Sequence, residues 1–230
     1  MDSKLKEYNY GKCLLNKNNL KVFFIEKSID IDFLTVQEKQ ICENLSKKRR
    51  AEFVHSRSYV RLILSKILKI KPLAVPLSAP LGKAPSLPKK YGFLSFSHCK
   101  DAFVFVWSTE RIGIDIESID RKINLNLISK RILTDLEFNK LTTLNYSEKC
   151  LKFLEIWVIK EAIIKRENEK ILRNLRDWEW NKKSNLAINS QRKIKHNLRK
   201  FRYQNYLIGI ATNQSFDLSL FLYDFYLNLF

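Results

Sequence analysis

Arg111 to Glu117 reads R-I-G-I-D-I-E. Ile112, Ile114 and Ile116 alternate with Gly113, Asp115 and Glu117, the period of a strand that buries one face. Side chains two apart on a strand project the same way, so Asp115 and Glu117 share the other face as hard oxygen donors that repel each other unless a cation lies between them. The heptapeptide fits a magnesium site, and it also fits an edge strand whose acidic face is solvated.

A second segment bears on that choice. Residues 152–165, K-F-L-E-I-W-V-I-K-E-A-I-I-K, are apolar around most of a helix, which predicts burial. Glu161 and Lys165 lie within it, four apart with the glutamate first, an order that stabilises an exposed helix by only about 0.2–0.5 kcal/mol. Desolvating such a pair costs several kcal/mol per ion, so a metal or a phosphate is a better reason for its presence than a structural pair.

Taken in order, K-V-F-F-I-E at residues 21–26 reads as a first strand, and T-V-Q-E from Thr35 as a capping box opening a short helix to about Leu45. Lys47 to Lys69 predicts a longer helix burying Phe53, Val60, Leu64 and Ile67. Arg50, Arg57 and Arg61 fall within a stripe about 40° wide on it, either a phosphate-facing edge or a solvated basic face. All five prolines lie between Pro72 and Pro88, which predicts a long stiffened loop, with G-K-A-P at residues 82–85 inside it.

F-L-S-F and A-F-V-F-V-W flank S-H-C-K-D, a predicted hairpin whose tip presents Ser97 and His98, and an imidazole there can donate to a phosphate. Asn124 to Leu144 reads as helical. Short strands follow from about Ile171, and the final F-L-Y-D-F-Y-L-N-L-F predicts a helix or strand packed on the body. Arg192 to Arg202 is the densest basic run, read as a solvated hairpin or a partner-binding surface.

Charge and cysteines restrict the function classes. Forty-two Lys and Arg against 24 Asp and Glu give +18, which attracts polyanions such as nucleic acid, a phosphorylated cofactor or an acidic protein. No apolar stretch approaches the roughly 20 residues needed to cross a bilayer, and the N-terminus lacks a secretory segment, so a cytoplasmic protein without a membrane partner is expected. Cys13, Cys42, Cys99 and Cys150 are scattered without metal-ligand spacing, which predicts neither zinc nor a disulfide framework.

G-I-D-I-E at residues 113–117 and W-V-I-K-E-A-I-I-K at residues 157–165, with 45 residues between Asp115 and Glu161, together resemble the 4′-phosphopantetheinyl transferases, marked by G-[IV]-D and then W-[ST]-x-K-E-[AS]-x-x-K. G-K-A-P resembles the family's G-K-P loop, F-L-S-F-S-H its F-N-x-S-H turn, Arg57 and Arg61 its R-x-x-x-R helix, and Tyr206 to Ala211 its last core strand. Ser95, Ala84 and Val158 depart from that pattern, at the usual Asn, Pro and small hydroxyl positions.

The resemblance covers about residues 20–212 and is to the long, surfactin-synthetase-activating type. It implies an α+β fold of two similar halves about a pseudo-twofold, each a small mostly antiparallel sheet packed on helices, divided here into residues 1–109 and 110–230. The implied enzyme is a monomer that moves phosphopantetheine from coenzyme A to a serine of an acidic apo carrier protein of fatty-acid, polyketide or peptide synthesis. Asp115, Glu117 and Glu161 are then expected to bind magnesium, Glu161 or Glu137 to act as base, and Lys165 to hold Glu161 and the pyrophosphate. Arg50, Arg57, Arg61, Lys83, Ser97 and His98, with Asp115 and Lys165, are expected to contact coenzyme A. A nucleic-acid-binding protein or a magnesium-dependent nuclease would use the same basic runs or carboxylates. Neither explains G-K-A-P, S-H and K-E-x-x-x-K together.

Overall fold

A computed structural model describes residues 6–9, 19–25, 31–100, 102–169, 174–213 and 217–222. Strands β1 (Lys6–Asn9) and β2 (Asn19–Ile25) precede helices α1 (Val36–Glu43) and α2 (Lys47–Leu68) and the hairpin of β3 (Phe93–Cys99) and β4 (Ala102–Ser108). Strand β5 (Gly113–Ser118) then leads into α3 (Leu125–Ile132), α4 (Asp135–Thr142) and α5 (Tyr146–Glu167). Strands β6 (Glu179–Asn181), β7 (Leu186–Asn189), β8 (Ile194–Tyr203), β9 (Tyr206–Thr212) and β10 (Asp217–Leu222) complete the order.

Two five-stranded sheets result, ordered β1-β10-β2-β4-β3 and β5-β9-β8-β7-β6. The second is antiparallel throughout, and the first is antiparallel except where β10 runs parallel to β2. One topology occurs twice: a strand, a 22-residue helix, and a hairpin whose second strand returns antiparallel beside the first, as β2-α2-β3-β4 and as β5-α5-β8-β9. This is the α+β fold of two sheet-on-helix halves. A division near Thr109 separates the sheets except at β10, which crosses back into the first.

The layers follow from which side chains meet. Tyr59, Val60, Ile63 and Leu64 of α2 pack on Leu94, Phe103 and Phe105. Val104 and Val106 on the opposite face of β4 meet Ile114, Ile116, Ile208 and Ile210, so the sheets face each other through aliphatic side chains. On the far side, Val158, Ile159, Ala162 and Ile163 of α5 cover β8 and β9 at Leu198, Leu207 and Ala211. The order is α2, first sheet, second sheet, α5. Among the described residues no helix is long and apolar enough to cross a membrane, and Cys42, Cys99 and Cys150 are free thiols.

Local signals account for most boundaries. Thr35 and Glu38 form the expected capping box at α1. The single helix expected over Asn124–Leu144 is instead two, because Thr134 and Glu137 form a second capping box that starts α4 immediately after α3 ends. Asn145 and Glu148 cap α5 in the same way, extending it six residues before Lys152. The hairpin tip lies beyond Cys99, so Ser97 and His98 are strand residues on opposite faces of β3, one buried and one exposed. The basic run Arg192–Arg202 is mostly β8, with Lys200 paired to Glu155 and His196 buried. Of the final apolar segment, Phe221 and Leu222 belong to β10 and the rest lies outside the described residues.

Candidate active site

Two glycines set the distance between β5 and α5. A Cβ at Gly113 would collide with the Ala162 carbonyl and lie 2.6 Å from the Arg166 amide nitrogen. One at Gly209, the residue opposite Asp115 on β9, would lie 2.5 Å from the Val158 carbonyl oxygen. The missing side chains let the helix backbone rest directly on the sheet, which brings Glu161 and Lys165 against Asp115.

β5 is therefore buried on both faces. Its isoleucines enter the core between the sheets, while the acidic row lies beneath α5 instead of in solvent. Asp115, Glu117 and Glu161 are only 5%, 8% and 5% exposed. Lys165 Nζ donates to Asp115 Oδ1 at 2.6 Å, and Ser97 Oγ donates to the same oxygen at 2.8 Å. Lys165 thus reaches across to the strand instead of pairing with Glu161 one turn before it. Asp115 Oδ2 is buried and unpartnered. Glu117 is paired with Arg121, and the Cys99 thiol lies 3.8 Å from its Oε2.

Three carboxylates thus share two cations in a desolvated space. Burial first, and then the charge of Asp115, push both Glu117 and Glu161 up to about 7. The donor set fits a divalent cation: oxygen ligands only, an unpartnered Asp115 oxygen, and excess negative charge that a metal would neutralise. With Lys165 and Arg121 occupying oxygens of Asp115 and Glu117, no ready-made three-ligand cluster is found among the described residues.

The basic residues divide into two groups. Arg61 is 1% exposed, 2.7 Å from Glu38 Oε2, and its guanidinium donates to the Phe33 and Leu77 carbonyls. Arg57 stacks on Phe53 and donates to the Ala79 carbonyl and to Ser56 Oγ, and burial pulls its pKa down to about 10. Where both were expected to face phosphate, in this structure they reach from α2 to the proline-rich loop and hold it by its Leu77 and Ala79 carbonyls. That loop is closed by reciprocal backbone bonds between Ser78 and Ser86 and exposes Lys83 beyond Gly82, whose φ of +70° suits glycine. Arg50 is exposed, and His98 is 52% exposed with Nε2 3.4 Å from Glu52.

Glu137 stands apart from the carboxylate cluster. Its Oε2 accepts from Thr134 N and, at 2.6 Å, from Lys160 Nζ, and its Oε1 accepts from Trp180 N at 3.4 Å. Burial lowers the pKa of Lys160, and the carboxylate opposes that shift. Arg121, Ser95, Cys99 and Lys160 were not legible as site or support residues. Their partners are 4 to 23 residues away in sequence, joined to them by folding alone.

A buried strand and helix thus bring three carboxylates and a lysine together. Residues 111–211, from the start of β5 to the end of β9, match the family model for the 4′-phosphopantetheinyl transferase superfamily. The matched region is similar to that superfamily and contains the G-I-D-I-E and K-E-x-x-x-K segments. No curated protein matches the chain.

Proposed function

We propose that the protein transfers 4′-phosphopantetheine from coenzyme A to a serine hydroxyl of an apo carrier protein, with magnesium, as a single chain of the long type. The observation that carries this reading is Glu161 of α5 buried beside Asp115 and Glu117 of β5, with Lys165 ion-paired to Asp115. Asp115, Glu117 and Glu161 would hold the magnesium. When bound, it neutralises pyrophosphate oxygens that otherwise repel a nucleophile.

The chain's own groups do the rest. Lys165, fixed by Asp115, presents positive charge to the pyrophosphate. Glu161 accepts the proton of the attacking serine, since it lies in the carboxylate cluster, whereas the Glu137 oxygens are committed to Thr134, Lys160 and Trp180. The serine oxygen forms a bond to the β-phosphorus. The bond from that phosphorus to the bridging oxygen breaks, and adenosine 3′,5′-bisphosphate leaves with the electron pair. Lys83, His98 and Arg50, the exposed bases, take the nucleotide phosphates. The +18 charge favours encounter with an acidic carrier.

Asp115→Ala and Glu161→Ala test the assignment directly. Each is expected to abolish magnesium-dependent labelling of an apo carrier while the chain stays folded. Intact labelling by either variant refutes the metal assignment.

A further inference from the structure

β3 and β5 are the edge strands of different sheets, and no backbone ladder joins them: β3 bonds to β4 and β5 to β9. Side chains join them instead. Ser95, Ser97 and Cys99 occupy alternate positions of β3, on the face opposite the Leu94 and Phe96 that pack toward α2. Ser95 Oγ accepts the Ile114 N–H at 3.2 Å, and Cys99 Sγ accepts the Ser118 N–H at 3.0 Å. Between them Ser97 Oγ donates to Asp115 Oδ1 at 2.8 Å.

The registers agree. Residues 95 and 99 span four positions of β3, residues 114 and 118 span four of β5, and the strands run in the same direction. At about 3.3 Å per residue the two bonds lie about 13 Å apart on each strand, so both form without distortion. Their need is also clear: an edge N–H buried without an acceptor is costly, and an aliphatic side chain at 95 or 99 would leave one. Asp115 and Glu117 lie inside the bracketed stretch, and the Cys99 thiol lies within 3.8 Å of Glu117 Oε2.

We propose that Ser95 and Cys99 are positioning residues for the site assigned above: they clamp the free edge of β5 at both ends, and so fix the placement of Asp115 and Glu117 for a divalent cation. This rests on the transferase reading for its chemistry but not for its geometry.

The test compares Ser95→Ala and Cys99→Ala with Cys99→Ser, which keeps an acceptor. In the full chain, amide hydrogen exchange is read at Ile114 and Ser118 with Ile208 of β9 as control, Mn2+ binding is measured without coenzyme A, and kcat and KM for coenzyme A are determined. Each alanine variant is expected to speed exchange at its own bracketed amide only. It should also weaken Mn2+ binding by about tenfold, the scale of groups that orient metal ligands, and lower kcat with KM for coenzyme A unchanged. Cys99→Ser is expected to restore all three. Unchanged exchange at Ile114 and Ser118 overturns the proposal, as does faster exchange with Mn2+ affinity and kcat intact. If Cys99→Ala also loses protection at Ile208, Cys99→Ser decides: parental Mn2+ affinity with Ser118 protected supports the clamp, and lost affinity with Ser118 protected overturns it. A parent chain that binds Mn2+ but labels no carrier refutes the transferase reading, and the exchange and Mn2+ arms still decide this proposal.

Discussion

Replacing Glu161 with glutamine should make the metal-free protein more stable while destroying its activity. Glu161 titrates at about 7 in the fold against 4.5 in an unfolded chain, because burial and the charge of Asp115 disfavour its anion. The folded state therefore binds more protons than the unfolded state between those values. Stability from this group is complete below pH 4.5 and is lost as pH rises through 7. At 1.36 kcal/mol per pH unit the loss is about 3 kcal/mol, and because part of the shift comes from the charges of Asp115 and Glu117, about 2–3 kcal/mol is the expected gain of Glu161→Gln at pH 8. For a chain of this length that raises the melting temperature by about 5–10 °C. The assay is thermal unfolding of parent and variant in chelator at pH 4.5 and pH 8. The gap should be near zero at the lower pH and full at the higher, and millimolar magnesium should narrow it by binding the parent alone. A variant less stable than the parent at pH 8, or a gap independent of pH, would refute the reasoning.

Three other outcomes follow from the packing. Gly209→Ala puts a Cβ 2.5 Å from the Val158 carbonyl oxygen, so urea unfolding should show a loss of about 1–3 kcal/mol, and transfer should fall further as α5 shifts Glu161 and Lys165. Arg61→Ala leaves Glu38 buried and unpaired at a cost of about 3–5 kcal/mol by the same measurement, with KM for coenzyme A unchanged in the folded fraction; a raised KM would restore Arg61 as a phosphate ligand. His98→Ala should weaken coenzyme A more than dephospho-coenzyme A in a competition assay, and equal weakening removes His98 from the 3′-phosphate.

Where sequence reading succeeded, the signal was local. The alternation over residues 112–117 located β5, T-V-Q-E located the start of α1, and the apolar circumference of residues 152–165 announced that α5 is buried. T-D-L-E carries the same capping information as T-V-Q-E, and reading it would have divided α3 from α4. The failures share a different cause. The stripe of Arg57 and Arg61 is real, but whether it meets solvent or a loop depends on carbonyls of Leu77 and Ala79, which only the folded chain brings to it. Strand alternation likewise reports one strand's faces and not what covers them, so the acidic face of β5 gave no sign of lying under α5. Sequence spacing points Lys165 at Glu161, four residues away, whereas its partner in the fold, Asp115, is 50 residues away. β10 pairs parallel with β2 from the opposite end of the chain, a contact no local pattern encodes.

The most direct measurement is the intact mass of apo carrier proteins incubated with this protein and coenzyme A, with magnesium and then with chelator. A gain of one phosphopantetheine on the carrier serine, matched by release of adenosine 3′,5′-bisphosphate and absent with chelator or with Glu161→Gln, is the expected result. Consumption of coenzyme A or of a phosphodiester without any gain on the carrier would contradict the transferase reading and make the carboxylate site that of a hydrolase.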